Sequence, residues 1–253
     1  MHRFRRILAI VLLAGLAGAA RAGEVRVAVA ANFAGALAKI GEGFTASSGH
    51  TLKVSSGATG KFYTQIQSGA PFEVLVAADH ETPAKLVQEG HAVAGTAFPY
   101  AIGKLVLWSA TPGLVDGEGA VLAGGKFRHV AVANPKVAPY GAAAYEVLKA
   151  RGLADRLANR IVIGESIAQA YQFAASGNAE LAFVALSQVA VPGKPAAGSW
   201  WLVPPNLYGD IRQAAVLLKA GQNNPAAGAF LAYLKGPAAR QVIESYGYAS
   251  PAP

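Results

Sequence analysis

The chain has 253 residues, 53% hydrophobic and 14% charged, with 22 Lys plus Arg against 14 Asp plus Glu, no Cys and one Met. That apolar fraction excludes a disordered chain, and the missing Cys excludes a disulfide scaffold, thiolate chemistry and Cys-ligated zinc or iron–sulfur sites. The formal net charge of +8 raises the question of an acidic polymer as partner.

Residues 1–22 answer half of that question. Arg3, Arg5 and Arg6 precede an apolar run from Ile7 to Ala20, and Ala20-Arg21-Ala22 follows as a small-x-small cleavage signature. This is the tripartite pattern of a secretory signal peptide, and its apolar run is too short and too rich in Ala and Gly for a spanning helix. Removal of residues 1–22 takes away Arg3, Arg5, Arg6 and Arg21 and no acidic residue, so the net charge falls to +4. The remaining bases (Lys39, Lys53, Lys61, Lys85, Lys104, Lys126) are dispersed, which disfavours nucleic acid as a partner. An exported protein is expected.

The rest of the chain alternates strand and helix signals. Val25 to Ala30 is a β-branched, apolar strand, followed by a helix whose Phe33, Leu37, Ile40 and Phe44 fall on one face and which ends at Gly49. Thr51 to Ser55 is a strand, Thr59 to Ser68 a helix, Phe72 to Ala77 a strand, and Glu81 to Glu89 a helix with Asp79 as its cap. Tyr100 to Gly103 reads as turn. Strands follow at Lys104 to Ser109 and His129 to Ala133, then helices at Tyr140 to Ala150 and Leu153 to Ala158. Arg160 to Ile163 is a strand, Ile167 to Ala175 a helix, and Leu181 to Val184, Trp200 to Val203 and Arg212 to Leu218 are strands. Helices near Asn224 to Leu234 and Pro237 to Tyr246 close the chain. Repeated βαβ units predict an α/β protein with largely parallel sheets. About ten strands suit two small sheets, hence two lobes: 23–102 plus 208–253, and 103–207, with a ligand cleft between them.

No catalytic set assembles. His50, His80, His91 and His129 have no metal-ligand spacing, there is no G-x-S-x-G elbow, and Gly57-Ala58-Thr59-Gly60-Lys61 has Ser55 and Phe62 where a phosphate-binding loop needs Gly and a hydroxyl residue. What recurs is a junction at which a strand ends, small or hydroxyl residues follow, and a helix begins. It occurs at Ala30-Ala31-Asn32, at Ser55 to Gly60, at Asn134 to Gly141 and at Gly164-Glu165-Ser166-Ile167. Each helix start offers unpaired N–H groups and a positive dipole end. Each junction alone reads as an ordinary cap; two in each lobe, facing across a cleft, would make a donor cage for a small oxyanion.

These segments carry a family resemblance. Val27 to Phe33, Ser55 to Gly60, Gln65 to Asp79, Ala131 to Pro135 with Ala138 to Gly141, Gly164 to Ile167, and Phe230 to Pro237 with Tyr246-Gly247-Tyr248 resemble the periplasmic molybdate-binding proteins of ABC transporters. The resemblance covers essentially the whole chain after residue 22. It implies a two-lobed binding-protein fold, a periplasmic location, no enzymatic activity, no cofactor, a membrane permease as partner, and a monomer. Its ligand positions carry over onto Asn32, Thr59, Tyr140 and Ile167, with Ala31 adjacent; Tyr140 and Ile167 would contribute backbone N–H groups. The ligand would be molybdate or tungstate, held through its oxygens with no direct ligand to the metal. Two departures bear on affinity and on preference between these anions: Ala185 stands where some members place a Tyr hydroxyl, and Ala31 where some have a hydroxyl residue. A binder of sulfate or thiosulfate is the alternative.

Overall fold

A computed structural model of the chain describes residues 22–195 and 197–251; the signal peptide expected at 1–22 lies outside them except for Ala22. Among the described residues no helix is long and apolar enough to cross a membrane. In chain order the first elements are β1 (Glu24–Ala30), a 3-10 turn (Ala31–Phe33), α1 (Ala34–Ser48), β2 (Thr51–Gly57), α2 (Thr59–Gln67), β3 (Val74–Val76), α3 (Glu81–Gln88) and β4 (Phe98–Gly103). The middle holds β5 (Leu105–Ser109), α4 (Val121–Gly124), β6 (Val130–Ala133), α5 (Pro139–Ala150), α6 (Ala154–Leu157), β7 (Ile161–Gly164), α7 (Ile167–Ala175), β8 (Leu181–Ala185), α8 (Leu186–Val189) and β9 (Ser199–Leu202). The chain ends with β10 (Ile211–Leu217), α9 (Pro225–Lys235) and α10 (Pro237–Ser245).

The strands form two five-stranded sheets, ordered β2-β1-β3-β10-β4 and β7-β6-β8-β5-β9. The expected two-lobed α/β architecture is therefore observed, but the sheets are mixed where largely parallel ones were expected. β1 runs parallel to β2 and β3, while β10 is antiparallel to β3 and β4. β6 runs parallel to β7 and β8, while β5 is antiparallel to β8 and β9. The reason lies in the crossings. Only Lys104 separates β4 from β5, which belong to different sheets, so no crossover helix can set a parallel register there.

β4 itself replaces the turn expected at Tyr100 to Gly103. Pro99 and Gly103 read as turn residues, yet β4 is the edge strand of its sheet, its outer side bonded at Ile102 through a bridge to Ala249, and at Pro99 on that edge a missing N–H is tolerated. The register slips between Gln213 and Ala214, so Tyr100 is an extra residue opposite β10. Its side chain is buried and reaches Gln213.

Sequence pattern explains the layers. In β1, Val25, Val27 and Val29 face α1, α9 and α10, while Ala28 joins Phe62, Ile66, Leu75 and Leu86 under α2 and α3. β1 is an interior strand, with Ala28 and Ala30 buried opposite the valines and its polar Glu24 and Arg26 at its start; β2, at the sheet edge, keeps its polar Thr51, Lys53, Ser55 and Ser56 exposed. In α1 the buried Leu37, Ile40 and Phe44 form the expected stripe, and Gly49 ends it in the left-handed region (φ 73°), its N–H donating to Thr45 O. α5 lies so close on β6 that a Cβ on Gly141 would strike the Ala133 carbonyl oxygen.

Candidate functional site

Ala31, Asn32, Thr59, Tyr140 and Ile167 all line one small cavity between the lobes, together with Ala30, Gly57, Ala58, Ala78, Ala138 and Pro139. The cavity leaves about 10 Å³ for the centre of a water-sized sphere. It lies where β1, β2, β6 and β7 end and where the 3-10 turn, α2, α5 and α7 begin, so the four junctions converge on it, two from each sheet.

The caps of these helices differ from ordinary ones. Ala30, Ala58 and Ala138 stand at three N-cap positions, and none has a side chain able to take a first-turn N–H. At the fourth, Ser166 accepts only from Gln169 N, two residues beyond Ile167. Among the described residues the N–H groups of Asn32, Thr59, Tyr140 and Ile167 have no acceptor. They are the unpaired donors that every helix start leaves, gathered around one space with the positive ends of the helix dipoles behind them.

Thr59 adds a side-chain donor. Its side chain is buried, and its Oγ1 accepts the Ala78 N–H at 3.0 Å. With that lone pair occupied, the hydroxyl hydrogen is left to point into the cavity.

Asn32 is held differently from a ligand-pointing amide. Its Nδ2 donates to Gln213 Oε1 (2.9 Å) and to the Tyr248 hydroxyl (3.0 Å), which uses both of its hydrogens. Its carbonyl oxygen lies 2.8 Å from both the Tyr248 hydroxyl and Ser187 Oγ. The side chain thus fixes the 3-10 turn and leaves the backbone N–H for the cavity. Gln213 ties this together. Its Oε1 also accepts from the Tyr100 hydroxyl (2.9 Å), and its Nε2 donates to the Tyr140 hydroxyl (3.1 Å). Tyr140 therefore turns its phenol back to the network and leaves its N–H toward the cavity. Burial pushes the Tyr100, Tyr140 and Tyr248 phenols above their ordinary range, so all three stay neutral.

No Asp, Glu, Lys, Arg or His lines the cavity. Lys61 and Glu165 sit just outside it and pair across the lobes. Asp79, expected as the cap of α3, stands one residue before the N-cap His80. Its carboxylate accepts from Thr82 N (2.8 Å) and Thr82 Oγ1 (3.1 Å), and burial raises its pKa. Ala185 ends β8 outside the cavity, where its N–H donates to Gln188 Oε1 (2.9 Å). Gln213, Ser187, Tyr100 and Ala78 were not singled out from the sequence. The one available signal was Gln213 directly before the apolar run Ala214 to Leu218.

Two α/β lobes that enclose a neutral cavity lined by bare helix starts define a two-lobed solute-binding protein. A family described as bacterial extracellular solute-binding protein matches residues 25–249, and the chain belongs to it. It is 57% identical over 242 residues to the molybdate-binding protein ModA of Azotobacter vinelandii, covering 95% of this chain and 96% of that one. It is 54% identical over 240 residues to the molybdate-binding protein ModA of Rhodobacter capsulatus, covering 95% and 94%. A solved structure of an Azotobacter vinelandii periplasmic molybdate-binding protein superposes with a TM-score of 0.88 at 45% identity, covering 90% of this chain and 100% of that one.

Proposed function

We propose that the protein captures molybdate, and tungstate with it, in the cavity between its lobes and delivers it to a membrane ABC permease. On this reading residues 1–22 export it to the periplasm, where it acts as a monomer, with no cofactor and no catalytic step. The observation that carries the reading is the donor set: four unpaired N–H groups and the Thr59 hydroxyl, with no ionised side chain among them. The names of the relatives point to the same anion.

Molybdate is a tetrahedral dianion that only accepts hydrogen bonds, so a cage of donors meets each oxygen without a proton left over. Bonds to a charged group contribute about 1.5–3 kcal/mol each, which suffices without Lys or Arg. A phosphate still carrying a proton would bury that hydrogen without an acceptor, at a cost of about 1–3 kcal/mol. Sulfate matches in charge and shape, so only cage size separates it.

Titration calorimetry with the four anions tests this. Molybdate and tungstate should bind one per chain, sulfate roughly a hundredfold more weakly, which is about 2.7 kcal/mol, and phosphate should give no heat. Equal affinity for sulfate would make the protein a general tetrahedral-oxyanion binder, and absence of heat with molybdate would overturn the proposal.

A further inference from the structure

Apart from the cage, the lobes meet at a second set of contacts among residues that do not line it. The Gly60 N–H, one residue after Thr59, donates to the Val137 carbonyl oxygen at 2.9 Å. Val137 belongs to the other lobe and stands three residues before Tyr140. Beside this bond, Lys61 pairs with Glu165, which stands two residues before Ile167. The approach is close enough to need a glycine. A Cβ built on Gly60 would lie 2.9 Å from Val137 Cα, 3.0 Å from its Cβ and 3.2 Å from its Cγ1, so its three nearest neighbours all belong to Val137.

We propose that this seam is the latch that sets how tightly the protein holds its anion: Gly60 and Val137 form its contact, and Lys61 with Glu165 its rim. The inference rests on the cage being the binding site. The seam's position supports it. Thr59 and Tyr140 are cage residues on opposite lobes, and the Gly60–Val137 bond joins the chain next to one to the chain next to the other. The bond forms only when the two helix starts are brought onto the cavity, so it adds to the closed state alone. A ligand that binds the closed state gains whatever closure gains.

A methyl group at position 60 separates this role from an ordinary structural one. Gly60 lies in the first turn of α2, where alanine is the better helix former by about 1 kcal/mol, and the closest obstruction comes from Val137 on the other lobe. Gly60→Ala should leave the melting temperature of the unliganded protein unchanged or raised. It should weaken molybdate binding at least about tenfold, as overpacking at a closed contact does. Lys61→Glu and Glu165→Lys should each weaken binding roughly two- to fivefold at low salt, the range of an exposed pair, and the double reversal should restore it. Unchanged affinity in Gly60→Ala, or a double reversal as weak as the sum of the singles, refutes the latch. If Gly60→Ala melts lower than the parent, the charge-reversal cycle decides. If the parent binds no molybdate, the proposed function fails instead. Small-angle scattering of the unliganded proteins then judges the latch: a larger radius of gyration in Gly60→Ala upholds it and an equal one refutes it.

Discussion

Replacing Thr59 by valine keeps the shape and β-branching of the side chain and removes its hydroxyl. Two consequences follow from the two bonds assigned to that oxygen. The Ala78 N–H, which donates to Oγ1 at 3.0 Å, loses its acceptor in a site where Thr59 is only 1% exposed. An orphaned buried donor costs about 1–3 kcal/mol. For a chain of this size that lowers the melting temperature by about 2–10 °C. The ligand loses a charge-assisted bond of about 1.5–3 kcal/mol, so its affinity falls roughly 10- to 150-fold. Thr59→Ser keeps both bonds and loses only a methyl group; its affinity should stay within about threefold, a change below 1 kcal/mol. The assay is calorimetric titration of molybdate alongside thermal unfolding of the unliganded variants. A valine variant that melts lower yet binds within about twofold of the parent would show that the hydroxyl only holds Ala78, and would refute its role as a cage donor.

Two further tests use titration. Gln213→Glu preserves shape, and its carboxylate can accept from Asn32 Nδ2, the Tyr100 hydroxyl and the Tyr140 hydroxyl. It places a titratable charge behind a neutral cage. Binding should then weaken, by at least about tenfold, as pH rises through that carboxyl's pKa, whereas the parent stays flat between about pH 6 and 9 because nothing lining its cavity titrates there; a pH series of titrations that shows no difference refutes it. Glu180 accepts the His129 N–H (2.9 Å) and Arg128 N–H (3.1 Å) and pairs with Arg128 Nε (3.0 Å). The His129 N–H chiefly holds its pKa down, from 4.5 to about 2. A depressed folded-state pKa means that its stabilisation is complete above the unfolded value and lost as pH falls toward 2. Melting curves of Glu180→Gln should therefore show a smaller acid-induced drop than the parent's over that range, and parallel curves would overturn the assignment.

The alternation of β-branched runs with amphipathic stripes made most elements legible, because Val25 to Val29 or Ile40 to Phe44 carry their environment in local spacing. The places of the four junctions were legible too, as small or hydroxyl residues between a strand and a helix, although each alone reads as an ordinary cap and only their convergence sets them apart. β4 was not: Pro99 and Gly103 signal a turn locally, and only the edge position and the bulge opposite Gln213 make a strand of them. Nor was the network around Asn32. Its partners Gln213 and Tyr248 lie 181 and 216 residues away in sequence, so nothing near Asn32 tells that its amide faces inward. Gly60 reads as a poor helix former until Val137 is brought against it.

Placing the charges outside the cage has a consequence for selectivity. A lysine among the ligand's contacts would strengthen binding of every dianion alike and would discriminate none of them, since specificity is a difference of affinities. Lys61, two residues past Thr59, is committed instead to Glu165 on the opposite lobe. In the proposed site the anion would therefore meet only oriented N–H and O–H groups, whose number and direction would register protonation and whose spacing would register size. Holding strength can then be tuned at the seam, by changing Gly60, Lys61 or Glu165, without altering what the cage recognises. Variants of the seam should shift the affinities for molybdate and tungstate by the same factor, whereas variants of Thr59 should change their ratio. Calorimetric ratios across both sets distinguish the two roles, and a seam variant that changes the ratio would mean that closure also shapes the cage.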